Sequence, residues 1–371
     1  TLSLLAVFAL GSVAPASAQL LGAGRLPISY RTWKVETDST ETTISQLHVP
    51  VVASLRLGEN ADLVISTAYG SSDLSPDAGD DLSLAGASGI KAQLFVRMLE
   101  NRLLLQGGTN VPTGGTGLEL DELTVVQALS APLLGFRLKH YGEGWNAGGG
   151  GALAFPVGES ATFALGGGFV HRGAYEFVAG DDDYQPGSEV SASAGLDFQS
   201  GDAPVLRLDA SYRAFGADQL GGQDIFDEGD QIELQAAAGT PPAPFAASAR
   251  VRSVVKQDNT AFSSAGEAVE KATLAAGHSV QVDGDLSYAL SPRARFGIAG
   301  SFLQFAGAED ASQDGHTLGV GPLVDLVFGD RGRVSVQAQW LKGKTNDVDG
   351  VAGLDLSGFD VSFGLYYAPG W

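Results

Sequence analysis

Any catalysis in this chain would fall to its carboxylates and to five histidines, because cysteine is absent and methionine occurs once, as Met98. A serine nucleophile needs a histidine whose ring nitrogens reach both nucleophile and acid. His48, His140, His171, His278 and His316 are scattered along the chain, and none lies in a GxSxG, HExxH or GxxxxGK[ST] setting. The glycine run Gly148–Gly151 is not followed by the helical pattern that a phosphate cradle needs, so it reads as close strand packing. No enzyme, no resident cofactor and no metal centre is predicted. Oxygen ligands cluster in Gly180–Asp183 (GDDD), Asp224–Asp230 (DIFDEGD), Glu309–Asp314 (EDASQD) and Asn346–Asp355 (NDVDGVAGLD). These suit Ca²⁺ or Mg²⁺ in kind but not in EF-hand spacing. They read as solvated loops that divalent ions bridge to anionic lipopolysaccharide.

The remaining charges are organised by period-two alternation. Ile90, Ala92, Leu94, Val96 and Met98 oppose Lys91, Gln93 and Arg97; Leu206, Leu208, Ala210 and Tyr212 oppose Arg207, Asp209 and Arg213. Val251 opposes Arg250 and Arg252, and Val282 and Leu286 oppose Asp283 and Asp285. Segments of roughly ten residues with this pattern are the mark of a transmembrane β-barrel, with apolar side chains toward lipid and polar ones toward the lumen. The composition agrees: glycine is 51 of 371 residues, charged residues are 18%, and the formal charge of −21 argues against a nucleic-acid partner. The predicted pore-lining set is Arg56, Lys91, Arg97, Arg207, Asp209, Arg213, Arg250, Arg252, Asp283 and Asp285, joined on the same phase by Lys256, Glu189, Asp197, Glu233, Asp325 and Asp360. Such an interior must be wet or internally paired, since an unpaired buried charge is costly.

The elements that position these residues form an all-β, antiparallel up-and-down barrel. Sixteen strands are predicted, with fourteen as the alternative; in the first, 28–37, two phases fit equally well, and 144–156 is weak because it is glycine-rich. Short turns alternate with longer polar loops at 73–87, 113–143, 176–187, 216–228, 258–276, 307–314 and 344–355, as in barrels of the bacterial outer membrane. Residues 1–18 read as an export signal truncated at its start, with a cleavage site at Ala16-Ser17-Ala18, and 19–371 as one barrel domain. Phe363, Leu365, Tyr367 and Trp371 resemble the C-terminal signal read by the barrel assembly machinery. The longest loop, 113–143, contains Leu118–Ser130 with helical spacing and an acidic first turn. Folded inward as a constriction or plug, it would set Glu119, Asp121 and Glu122 against Arg56, Lys91 and Arg97.

Asn110–Gly114 (NVPTG), Leu129–Asn146 (LSAPLLGFRLKHYGEGWN) and Gly166–Tyr175 (GGGFVHRGAY) are similar to outer-membrane proteins found with phenol and aromatic-hydrocarbon degradation. Those proteins are distant relatives of the long-chain fatty-acid transporter group. The resemblance implies uptake of small hydrophobic or aromatic compounds through a monomeric barrel. It departs from that group at the N-terminus, where Gln19–Leu26 are too short for the hatch that fills those barrels. Three readings follow: a passive channel for small solutes, favoured by the charged lumen; a transporter of hydrophobic compounds, favoured by the resemblance; and a structural or surface-binding barrel. Monomer and trimer are both open, because a lipid-facing wall and a trimer interface look alike.

Overall fold

The structure, a computed structural model, describes residues 24–37, 39–199, 205–240, 244–263, 268–272, 276–307, 314–329, 332–347 and 353–367. The expected export signal and Trp371 lie outside these residues, as does the side chain of Tyr367. Alternating apolar and polar residues cannot bury one face of a lone strand, so each strand pairs antiparallel with the next. The series runs β1 (Gly24–Glu36), β2 (Glu41–Arg56), β3 (Ala61–Pro76), β4 in two pieces (Leu82–Ala87 and Ile90–Met98), β5 (Leu103–Val111), β6 (Asn146–Val157), β7 (Ala161–Arg172) and β8 (Glu189–Phe198). It continues through β9 (Val205–Phe215), β10 (Gln231–Gly239), β11 (Phe245–Lys256), β12 (Gly277–Ser291), β13 (Ala294–Gly307), β14 (Gly315–Phe328), β15 (Gly332–Thr345) and β16 (Asp355–Tyr367). β1 then pairs with β16 from Gly24↔Tyr367 to Glu36↔Asp355, which closes sixteen strands into a barrel and removes both sheet edges.

The register fixes the two faces. Leu94, Leu105, Leu286, Trp340, Phe359, Phe363 and Leu365 are exposed on the outside, and their sequence neighbours turn inward. Every residue of the predicted pore-lining set occupies the inward phase of its strand. The expected loop 73–87 is instead mostly strand. β3 continues to Pro76 and the first piece of β4 begins at Leu82, so only a tight turn separates them. The phase breaks at Ser88 and Gly89, and small polar residues either side hide the strands from a search for alternation. A Cβ at Gly89 would stand 2.8 Å from the Val111 carbonyl oxygen, so this break admits no side chain.

Three of the long loops build a second sheet. Tyr184–Gln185, Ala217–Leu220, Gln223–Asp227, Asn259–Phe262 and Ala268–Ala272 pair with one another and not with the barrel. They stand at the end opposite the short turns, which is the extracellular end. The acidic stretch 224–230 is thus partly a strand, and among the described residues no three carboxylates or imidazoles stand together as a metal site would require.

Candidate functional site

The chain between β5 and β6, residues 112–145, lies inside the barrel. Its helix α1 (Leu120–Ser130) buries Val125, Val126 and Leu129 and rests on β3 and β4. A single 3-10 turn, Pro132–Leu134, then reaches β13 and β14, five to seven strands away around a ring of sixteen. Between these ends the loop lies against the intervening strands, so it covers the inner wall from β13 through β4 in the extracellular part of the lumen. Its Leu118, Leu133, Leu134, Phe136, Leu138 and Tyr141 join the helix residues in one apolar cluster. The wall answers with Trp33, Ile44, Leu74, Leu84, Phe305, Leu341 and Leu356, all turned inward. At about 1.5–3 kcal/mol for each large apolar side chain removed from water, this contact makes the loop a docked element and not a tethered one.

Polar contacts fix its path. Gln46 acts as a surrogate peptide: its Oε1 accepts from the backbone N–H of Arg137 and Leu138, each at 3.0 Å, and its Nε2 donates to the Leu138 carbonyl at 2.7 Å. The Trp33 indole N–H donates to the Leu134 carbonyl at 2.7 Å, and the Tyr141 and Ser72 hydroxyls are hydrogen-bonded. Arg31 holds the carbonyls of Leu134 and Gly135 and is itself held by Asp360 at 2.8 Å. Gly135 has φ +58°, so the turn that presents those carbonyls favours glycine. Behind the turn, a Cβ on Gly114 would stand 2.2 Å from the Tyr141 carbonyl oxygen and 2.3 Å from that of Ala87. Gly114→Ala is expected to lift residues 114–141 off the wall, and faster proteolysis of this segment in the refolded variant is the measurement that checks it.

The loop carboxylates do not do what their position suggested. Glu122 accepts from the Glu119 backbone N–H at 2.9 Å and caps the helix start, where the helix dipole favours negative charge. Among the described residues Glu119, Asp121 and Glu122 form no ion pair with Arg56, Lys91 or Arg97. The separation explains this correction. Arg56 lies ten residues along β2 from Gln46, about 33 Å of extended chain, at the periplasmic end. Arg97 is paired with Asp62 at 2.7 Å, and Lys91 lies 3.8 Å from Glu143. Among the described residues the three loop carboxylates are thus not paired with these wall cations. Arg137 and Lys139 form the cationic face of the loop, and Arg137 and His140 are open to solvent.

The wall from β7 to β12 carries charge in pairs. Asp197 takes Arg207 in a two-point contact at 2.7 and 3.0 Å, and Glu233 takes Arg252 at 2.8 and 2.9 Å with Arg213 at 3.5 Å. Arg172 meets Glu189, and Lys256 meets Glu228. Arg250 stands directly across from Asp283, and Asp285 accepts from Ser248. Asp209 neighbours Arg207 on the same face. Most of these groups are only partly buried on the inner side of the ring of strands. Above it, Gly117 and Leu118 donate backbone hydrogen bonds to Glu176 and Phe177 of the loop after β7. Tyr175 packs edge to face on both Phe177 and Tyr184, which are tilted against each other. Burial, and then the hydrogen bond to Asp218, push the Tyr184 phenol well above its ordinary range, so it remains a donor.

The outer surface decides where the molecule resides. Its continuous exposed apolar wall, closed on itself with short turns at one end and long loops at the other, has no stable place in water. The chain is an integral outer-membrane barrel. No family model matches it, and no curated protein matches it. Among solved structures it is similar to an outer-membrane channel from Pseudomonas putida F1, at 12% identity over 96% of this chain and 99% of that one, with a TM-score of 0.38. It is similar to the TodX monoaromatic hydrocarbon channel at 11% identity over 95% and 91%, with a TM-score of 0.48. It is also similar to the outer membrane protein OpdK from Pseudomonas aeruginosa at 10% identity over 94% and 100%, with a TM-score of 0.42. These neighbours are outer-membrane barrels, a hydrocarbon channel among them.

The side chains that seat the loop were missed by sequence reasoning, although a signal existed. Trp33, Ile44, Leu74, Leu84, Phe305, Leu341 and Leu356 are apolar residues on the lumen phase of their strands. A wall with apolar residues on both faces has something inside to cover.

Proposed function

We propose that this barrel is a channel for passive uptake of small polar solutes, narrowed by the docked loop so that passage runs along the charged wall of β7–β12. The observation that carries the reading is the asymmetry of the lumen. In the extracellular part, the side from β13 through β4 is mainly apolar and covered by the loop, while the wall of β7–β12 is ionic; toward the periplasmic end the first side also carries ion pairs, Arg97–Asp62 and Arg333–Asp325. A barrel serving only stability gains little from solvated ion pairs, which contribute only about 0–1 kcal/mol each. A wet, charged wall is what sets solute selectivity in a pore. Refolded protein in a planar bilayer is expected to give stable ohmic steps, and deletion of 116–131, which removes α1, is expected to enlarge them severalfold. Unchanged conductance in the deletion would sink the loop's part in this reading.

A second reading is transport of small hydrophobic compounds, and one observation favours it. Gly107 and Gly108 of β5 face Gly149 and Gly148 of β6, and Gly150 and Gly151 face Gly168 and Gly167 of β7. The wall is bare backbone on both faces here, with a shallow recess lined by Leu104, Gln106, Gly151, Ala152, Ser191 and Ser193. A silent wild type together with a conducting deletion variant would favour this second reading.

A further inference from the structure

The strand of loop that returns across the wall alternates anchored and free side chains. Phe136, Leu138 and Tyr141 are buried against the wall, while Arg137 is exposed and Lys139 half-buried on the opposite side. The Arg137 backbone N–H is tied to Gln46, so the residue is held in place while its guanidinium is left to the lumen. Carboxylates on the surrounding wall and loop have partners of their own. Asp360 is bound by Arg31 at 2.8 Å. Asp283 accepts from Gln281 at 2.9 Å and faces Arg250 across the sheet. Glu143 accepts from Asn146 and lies beside Lys91, and Glu189 holds Arg172. Among the described residues neither Arg137 nor Lys139 has an ion-pair partner, so the constriction holds surplus positive charge inside a chain of formal charge −21.

We propose that Arg137 and Lys139 form a cationic contact at the constriction that selects small anionic solutes, carboxylates above all, against cations. This rests on the channel reading given above. The guanidinium offers a planar fork that matches a carboxylate at two points, and the ammonium beside it adds a second charge. The acidic residues of the outer loops do not cancel this contact, because at physiological salt their field fades over about 8 Å of water. Both side chains turn away from the wall, so their replacement leaves the loop's anchors in place.

The test is the reversal potential of the refolded full chain in a planar bilayer under a potassium chloride gradient. Wild type is expected to be displaced toward the chloride potential, and Arg137→Gln with Lys139→Gln is expected to lose most of that displacement while single-channel conductance persists. Cation selectivity in the wild type, or an unmoved reversal potential in the double variant, overturns the anion contact and leaves the channel intact. Absence of current from wild type and from the 116–131 deletion alike would remove the channel instead. Equilibrium binding of benzoate then separates the two ideas. Binding to wild type and not to the double variant keeps the anion site, and no binding to either overturns it.

Discussion

Arg31→Met is expected to release the lumen loop from a barrel that still assembles. Methionine keeps much of the packing of the arginine stem but removes every donor. The Gly135 carbonyl loses its partner, the Leu134 carbonyl keeps only the Trp33 indole N–H, and Asp360, whose side chain is 4% exposed, loses the guanidinium that pairs with it. Breaking a buried pair from one side costs roughly 3–5 kcal/mol, and the stranded Gly135 carbonyl adds about 1–3 kcal/mol. That sum is a large part of what the loop's apolar contacts supply, so the docked state becomes one of several. Bilayer recordings should show larger, noisier currents, and protease should cut within residues 131–145. A variant with the conductance and protease resistance of the wild type would show that Arg31 is not the latch.

The second large effect concerns the barrel wall. Arg97 and Asp62 form an ion pair at 2.7 Å near the periplasmic end, with side-chain exposures of 11% and 4%. Arg56 stands 3.9 Å from the same carboxylate but is more than half exposed, so solvent screens its contribution. Arg97→Met should therefore destabilise the barrel by about 3–5 kcal/mol, because it strands a buried carboxylate. Arg97→Met with Asp62→Leu should recover most of that loss, since removing both charges leaves nothing unpaired. Urea unfolding of protein in detergent micelles measures both. A double variant no better than the single one would mean that the pair is held for its geometry and not for its charge balance.

Much of the barrel was legible in the sequence because a membrane imposes a hard rule, apolar outward at every second residue. Leu206, Leu208 and Tyr212 against Arg207, Asp209 and Arg213 leave one register open, and the structure adopts it. Two things blurred the rest. Strand ends lie above the apolar band, where the rule relaxes, and so Ser75, Pro76 and Leu82 read as loop although they are paired. The loop's own chemistry was read from its charges, Glu119, Asp121 and Glu122, whereas its docking is decided by Val125, Leu129, Leu134 and Leu138. Acidic residues in a helix's first turn carry an explanation within the helix, so they say little about what stands opposite. The ambiguity of the first strand was itself informative. Two phases fit because Trp33 faces inward beneath the loop while Tyr30 faces out.

The place of the loop's seat also orders events in time. The loop leaves from β5 and returns to β6, yet its seat is built from β1–β4 on one side and β13–β16 on the other, and its latch joins Arg31 to a residue 329 positions away. Those two halves of the seat are contiguous only after β1 has found β16. Before that closure only the β1–β4 half of the seat is at hand, and Arg31 has no Asp360 beside it. The same pairing that completes the wall therefore completes the narrowing of the passage.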